Sequence, residues 1–378
     1  MPCVQHMTER GVGFMKAEKS RTILITGGAG FIGSNLAERL LAMRGTRVRI
    51  FDNLSRAGVA RNLEWLQKKA AHNNLEIVQA DVRDADAVKR AAADASDIFH
   101  FAAQVAVTTS VDDPRTDFQV NALGTLNVLE AARKSGRQPF VLFTSTNKVY
   151  GALNSVPVVA DGTRYRAKKA GFCGVTESEH LDFHSPYGCS KGTADQYVHD
   201  YARIYKLPTV VFRMSCIAGP RQMGNEDQGW VAHFLYSVLA NRPITIYGDG
   251  LQVRDVLHVH DLVDAMLAVH DNLETTRGNV YNLGGGMARA ISISEMLQTI
   301  ARETGKKARL NHAKVRPGDQ PLYISDTSKL RRDTGWAPRR RIEDILADIH
   351  AFWRETSSDD AVPQIKTVHA VEALGEVA

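Results

Sequence analysis

Four cysteines in 378 residues are too few and too scattered to staple a fold. Cys3, Cys173, Cys189 and Cys216 show neither a disulfide framework nor paired metal spacing, so reduced thiols in the cytoplasm are expected. Long hydrophobic runs are missing as well. None approaches the roughly 20 residues that cross a bilayer, which argues against a membrane partner. Residues 1–20 contain no apolar stretch of the kind a secretory signal needs, and they read as a flexible extension. A large excess of charge of one sign is also missing. A net charge of +5 does not call for nucleic acid, and an anionic small molecule would account for clustered arginines equally well. Internal repeats are absent. What remains is ordinary for a soluble globular chain: 44% hydrophobic and 24% charged residues, long enough for one large domain or two moderate ones.

Residues 21–53, RTILITGGAGFIGSNLAERLLAMRGTRVRIFDN, organise the rest. The apolar run 22–26 is β-branched at Thr22, Ile23, Ile25 and Thr26 and predicts a buried parallel strand. Gly27, Gly28, Gly30 and Gly33 follow at once. Residues 31–43 then predict a helix with Leu36, Leu40 and Met43 on its apolar stripe. Residues 47–51 predict a second strand ending at Asp52. A strand that turns sharply into a helix aims backbone N–H groups and the positive helix end at one point. Gly28 and Gly30 let the backbone approach a pyrophosphate, and Gly33 lets the helix lie close on the sheet. Asp52, roughly 20 residues on, would accept from both ribose hydroxyls. The order of strand, turn, helix, strand and acid predicts dinucleotide binding. Asp52 favours NAD over NADP, because its charge repels a 2′-phosphate; Arg56 nearby acts against that preference.

The alternation continues. Strands are predicted at 75–79, 97–101, 140–144 and 209–213, with helices at 85–93, 117–134 and 187–205. This pattern predicts an α/β fold with a doubly wound parallel sheet, whose ligands lie beyond the carboxyl ends of the strands. Residues 154–185 lack a clear period and read as a long loop over the site. Residues 21–214 are expected to form the dinucleotide-binding unit, with its final strand returned from 255–285. Residues 215–357 would form a smaller α/β substrate-binding lobe, with helices at 230–239 and 261–269 and a strand-like run at 244–247. Residues 358–378 read as a mobile tail.

SPYGCSK, residues 185–191, carries the chemistry. Tyr187 and Lys191 stand four apart, so on a helix they share a face. An ammonium within reach is expected to lower the phenol pKa, so that Tyr187 can take a proton from a hydroxyl near neutral pH. A third member should come from the end of the fifth strand. Thr146 is the best candidate, with Thr144 and Ser145 as alternates that could instead satisfy strand-end backbone groups.

The stretches TGGAGFIG, FDN, ADVRD, HFAAQ, NALGTLNVLEAAR, TSTNKVYG, PYGCSK, FRMSCIAGPRQ, QVRDVLHVHDLVDA, YNLGGG and RPGD cover residues 21 to roughly 350. Together they resemble the extended short-chain dehydrogenase/reductases of the nucleotide-sugar epimerase and dehydratase group, which have a Rossmann sheet and bind NAD. Within that group, STNKVYG, LDFHSPYGCSKG, ADQYVHDYARIYKL and DQGWV are most similar to epimerases that act at C2 of a CDP-sugar. The resemblance implies that Gly27, Gly30 and Gly33 line the pyrophosphate, with Phe31 and Ile32 also binding the cofactor. It implies that Asp52 and Asn53 lie at the adenosine ribose and Asp81 and Val82 at the adenine, with Ser55 and Arg56 also binding the cofactor. Ala102, Ala103, Gln104 and Thr144 would pass along the cofactor. Thr146, Tyr187 and Lys191 would form the catalytic trio, with Lys191 also holding the nicotinamide ribose. Gln104, Thr146, Asn147, Arg254 and Arg316 would touch the nucleotide sugar, the two arginines at its diphosphate. Dimerisation through the region of Asn121 and the helix after it follows from the resemblance alone. Ala218 departs from the pattern: relatives often carry Tyr before this Gly-Pro, which leaves one wall of the sugar pocket in question.

Acid–base chemistry separates the activities of this group. A 4,6-dehydratase needs an acid and a base beyond the tyrosine, supplied just after the threonine. Here those positions hold Asn147 and Lys148, and neither can act as a carboxylic acid. The expected function is therefore an epimerase working by transient oxidation, and the resemblance implies a CDP-sugar in preference to a UDP-hexose. A non-catalytic NAD sensor is the alternative from another class. Other candidates carry less. Cys189 is expected to be inert. His184 would touch substrate or cap the loop. His258 and His260 lack an acid or cysteine to complete a metal site, so no metal is expected. Trp230 and Tyr236 could stack on a base or pack the small lobe, and packing is the default.

Overall fold

The computed structural model describes residues 21–71, 74–316 and 319–357. The extension and tail expected at 1–20 and 358–378, and Cys3, lie outside the described residues. Seven strands form one parallel sheet: β1 (Arg21–Thr26), β2 (Thr46–Asp52), β3 (Leu75–Gln79), β4 (Asp97–His100), β5 (Phe140–Thr146), β6 (Thr209–Met214) and β7 (Asn279–Leu283). Their order across the sheet is β7-β6-β5-β4-β1-β2-β3. The chain moves outward from β1 to β3, then crosses back and continues from β4 on the other side. The crevice between β1 and β4 is thus a topological switch point, where open α/β sheets take their ligands. Every residue of β5 is buried, as a strand covered on both faces requires.

Two apolar layers cover the sheet. One packs Leu36, Leu40, Leu63 and Leu66 against Ile23, Ile25, Val48 and Ile50. The other packs Val88, Val128, Leu129 and Val198 against Leu24, Ile98, Val141 and Val211. A third cluster, with Phe234, Leu235, Met296, Ile300, Ile345 and Ile349, forms the interior of the region after β6.

Three local expectations need correction. The first helix spans Phe31–Leu41, so Met43 falls beyond it and is 38% exposed instead of buried on its stripe. The run 117–134 is not one regular helix. Pro114–Phe118 leads into a π turn, Gln119–Leu123, before Gly124–Lys134 resumes the α form. Such turns gather at functional sites, and here the turn presents Asn121 to Gln104. Finally, 154–185 is not all loop. Val158–Asp161 and Arg164–Ala167 form an antiparallel hairpin closed by Gly162 at φ +60°. Arg164 anchors the hairpin to Glu295 (2.5 and 2.7 Å). The anchor lies over a hundred residues away, which is why no local period announced the hairpin.

Candidate active site

A cleft of about 630 Å³ runs across the carboxyl ends of β1 to β6. At its centre the chain leaves β1 through Gly27, whose φ of +68° is left-handed. A Cβ on Gly27 would stand 2.7 Å from the Ala102 nitrogen, and one on Gly33 would stand 2.4 Å from the Gly27 oxygen. Backbone therefore lies on backbone, and no side chain fits. The helix Phe31–Leu41 begins at Gly30 without a side-chain cap, so its first N–H groups are free to face the cleft.

Asp52 closes β2. Its carboxylate accepts from the Ala29 N–H (3.0 Å) and the Leu54 N–H (2.9 Å), and burial pushes its pKa up. Beyond it, Asn53 donates to Asp81 (2.9 Å). Arg83 pairs with the same carboxyl and holds it down at about 2. Arg56 reaches across to the Gln228 side-chain oxygen. Phe31, Ile32, Ser55, Val82, Ala102, Ala103, Gln104 and Thr144 complete this half of the wall. Buried atoms here, Gln104 Oε1 and Ser145 Oγ, have no hydrogen-bond partner among the described residues. A backbone cradle, a free helix end, a ribose-height carboxylate and unpaired polar atoms suit NAD.

Tyr187 and Lys191 stand on the helix Ser185–Tyr205, at the far end of the cleft. Thr146 ends β5 beside them. Its hydroxyl accepts from the Lys148 N–H (3.2 Å) and donates to Asn147 Oδ1 (3.4 Å), and its hydrogen bond with the Tyr187 phenol works to hold the phenol pKa down against burial. Thr146 thus caps the turn after β5 and also meets Tyr187. Burial nonetheless wins, and Tyr187 is pushed up to about 12. Lys191 does not counter this as the sequence led us to expect. Its amine donates to the Thr144 carbonyl oxygen (2.7 Å) and lies 4.1 Å from the centre of the Phe143 ring. Burial pulls it down to about 7.

Asn121 braces the strand end opposite. Its oxygen accepts from the Gln104 N–H (2.9 Å), and its amide donates to the Gln104 oxygen (3.1 Å), to Asp117 and to Ser190. The remaining wall comes from Met214, Cys216, Ile217, Gln222, Gln228 and Trp230. The Trp230 indole N–H donates to the Cys216 sulfur (3.1 Å). Of these, sequence reasoning offers only Trp230, as a residue that could stack on a base. The rule that ligands lie beyond strand ends would have found Met214 to Ile217, which end β6 and follow it directly.

Three of the expected substrate residues do not line the cleft. Asn147 turns its amide to Gln320 (3.1 Å). Arg254 pairs with Asp319 (2.7 Å), and the same carboxylate holds Lys148 (3.4 Å); both cations lie within electrostatic range of Cys216. Arg316 rests 3.9 Å from the Tyr247 ring centre and pairs with Asp227 (3.6 Å). Ala218 is buried in a short strand paired with Val253–His258.

His258 and His260 acquire the acid the sequence did not reveal. Asp348, from the helix Ile342–Ser357, stands 3.0 Å from His258 Nε2. Yet His258 Nδ1 accepts from the His260 N–H (3.0 Å) and caps the helix Val259–Asp271, so the proton of the neutral ring sits on Nε2. That tautomer offers Asp348 a hydrogen bond and offers an ion no lone pair. His184 pairs with Asp182 (2.9 Å), Cys189 is exposed, and Tyr236 donates to the Gln222 oxygen (2.9 Å) while stacking on Trp353.

Residues 24–349 match the family model described as GDP-mannose 4,6 dehydratase. CDP-paratose 2-epimerase of Salmonella typhi is 42% identical over 331 residues, which is 85% of this chain and 96% of that protein. UDP-glucose 4-epimerase of Mycolicibacterium smegmatis is 33% identical, covering 88% of this chain and 99% of its own. The crystal structure of Thermus thermophilus UDP-glucose 4-epimerase in complex with NAD superposes with a TM-score of 0.72 at 32% identity, covering 88% of this chain and 99% of that one.

Proposed function

The chain belongs to the GDP-mannose 4,6-dehydratase family of extended short-chain dehydrogenase/reductases and is an NAD-dependent nucleotide-sugar epimerase, and we propose that it inverts C2 of CDP-paratose to give CDP-tyvelose. The observation that carries this reading is the meeting of Thr146 and Tyr187 at the end of a dinucleotide-shaped cleft, above a buried Lys191. The choice of carbon and nucleotide is supported by the 42% identity to CDP-paratose 2-epimerase.

C2 of paratose has no adjoining carbonyl, so its hydrogen is not acidic and direct deprotonation is closed. The hydrogen must leave as hydride. Bound NAD supplies the acceptor for it and a ring charge that favours phenolate at Tyr187. Gly27, Gly30, Gly33 and the helix start hold the pyrophosphate, Asp52 the ribose hydroxyls and Asp81 the adenine end. Tyr187 Oη takes the C2 hydroxyl proton as the ketone forms and returns it when hydride comes back to the opposite face. Thr146 Oγ1 donates to the same sugar oxygen and orients it. Lys191 positions the nicotinamide ribose. Arg254 and Arg316 serve the diphosphate, a role supported by the resemblance; Arg254 is within electrostatic range of Cys216, which lines the cleft. Asn147 and Lys148 leave no carboxylic acid beside Thr146 to expel water, which supports epimerisation over dehydration.

The protein acts as a homodimer in the cytoplasm. The dimer is supported by exposed apolar side chains, Val111, Phe118, Leu123, Tyr197, Ile204 and Tyr205, on helices that pack together. The compartment is supported by Cys173, Cys189 and Cys216, all free thiols.

NMR of product mixtures from CDP-paratose, UDP-glucose and the matching dTDP- and GDP-sugars tests the assignment. Turnover confined to CDP-paratose is expected; conversion of UDP-glucose alone overturns it. Tyr187→Phe should lose turnover by about 10²-fold or more while keeping NAD. A protein that only senses NAD would be unaffected.

A further inference from the structure

One buried acid beneath the Tyr187 helix has no part in the scheme above. Asp117 is 1% exposed, on the short helix Pro114–Phe118, which packs against Ser185–Tyr205. Ser190, which lies between Tyr187 and Lys191 in the chain, donates its hydroxyl to Asp117 Oδ2 at 2.5 Å. Asn121 donates to Oδ1 at 3.1 Å. Among the described residues, no cation forms an ion pair with this carboxylate. The other acid near Lys191 differs: Asp195 is closed off by Arg213 through two hydrogen bonds, at 2.8 and 2.9 Å. A buried carboxylate held only by neutral donors keeps its field, and that field falls on the nearest titratable groups.

We propose that Asp117 is a counter-charge shared by Tyr187 and Lys191, added to that of Asp195 at Lys191, a positioning residue that acts across the helix interface and never touches substrate. The proposal rests on the roles given above to Tyr187 and Lys191. The charged and titratable groups around them are few. Lys191 feels Asp195 most, although Arg213 also holds that carboxylate, then Asp117; it also faces His100, whose ring is buried between Thr26 and Thr125 and kept neutral by burial, at about 3. Tyr187 faces Thr146 and Asp117. Asp117 raises the proton affinity of both groups. For Lys191 this opposes burial, which otherwise leaves the amine neutral and unable to hold an oxygen-rich ribose or favour a phenolate. For Tyr187 the same field is a cost, and it keeps the phenol protonated until a further positive charge arrives.

The test is an NMR titration of full-length protein carrying ¹³C at lysine Cε, with Lys191 identified from the Lys191→Arg spectrum. Asp117→Asn keeps the shape and the hydrogen-bonding partners but removes the charge. The Lys191 midpoint should fall by about one unit or more. Asp117→Glu should restore it, and Ser190→Ala, which leaves the charge in place, should hold it near the wild-type value. The kcat–pH profile of Asp117→Asn should move toward acid on both limbs, whereas a merely structural role would lower kcat without moving them. An unchanged Lys191 midpoint in Asp117→Asn overturns the proposal. Should that variant not fold, the wild-type protein decides. The Asp117 carboxyl, raised by burial but lowered by Ser190, Lys191 and Asn121, must be ionised at neutral pH, and a ¹³Cγ midpoint above about 7 overturns the idea. If no nucleotide sugar is epimerised, the proposed function fails, while these midpoints still decide the role of Asp117.

Discussion

The amine of Lys191 donates to the carbonyl oxygen of Thr144 at 2.7 Å and so ties the helix Ser185–Tyr205 to the carboxyl end of β5. That bond sets the height of Tyr187 beside Thr146, and it holds a charge where burial disfavours one. The pKa of Lys191 falls from the ordinary 10.5 to about 7. Between those values the unfolded chain binds more protons than the folded one, so this residue makes stability rise with pH. Below about 7 both states are protonated and the folded state bears the full burial cost.

Lys191→Met should therefore lose turnover by about 10²-fold or more. It should also unfold at higher urea than wild type below pH 7, an advantage that fades toward pH 10.5. Urea midpoints measured across that range check the sign. A difference that does not change with pH contradicts it.

Much of this site is legible in the sequence because its parts are local. The β1 run, Gly27 to Gly33 and Asp52 lie within one strand–helix–strand unit, and Tyr187 and Lys191 share a helix face by spacing alone. What escaped depends on distant partners. Asp348 reaches His258 from 90 residues away, the 158–167 hairpin is anchored by Glu295, and the π turn carries Asn121, whose partners Gln104 and Ser190 lie in other elements. The pKa of Tyr187 was misread for a related reason. Spacing shows that an amine is near, but not that a carbonyl and a phenyl ring already hold it.

Asp52 should govern the choice of dinucleotide. Its carboxylate is fixed by the Ala29 and Leu54 N–H groups, where it would oppose a 2′-phosphate. Asp52→Ala should shift the ratio of NAD to NADP affinity toward NADP by about tenfold or more. Titrating each dinucleotide into stripped protein measures the ratio, and an unchanged ratio counts against the assignment.

His258 should make the fold acid-sensitive. Burial and the neighbouring His260 lower its pKa from 6.5 to about 4, so the unfolded chain takes up a proton first as pH falls. The stability it contributes is complete above 6.5 and is lost as pH drops toward 4. His258→Asn can keep the helix cap without titrating. Its thermal midpoint should fall less than that of wild type across this range; an equal fall would place the sensitivity elsewhere.

The central claim is that the C2 hydrogen leaves and returns as hydride while only the hydroxyl proton passes through Tyr187. Converting CDP-paratose in D₂O, without added reductant, tests it most directly. The account predicts CDP-tyvelose with protium at C2 in the NMR spectrum; deuterium at C2 would contradict it.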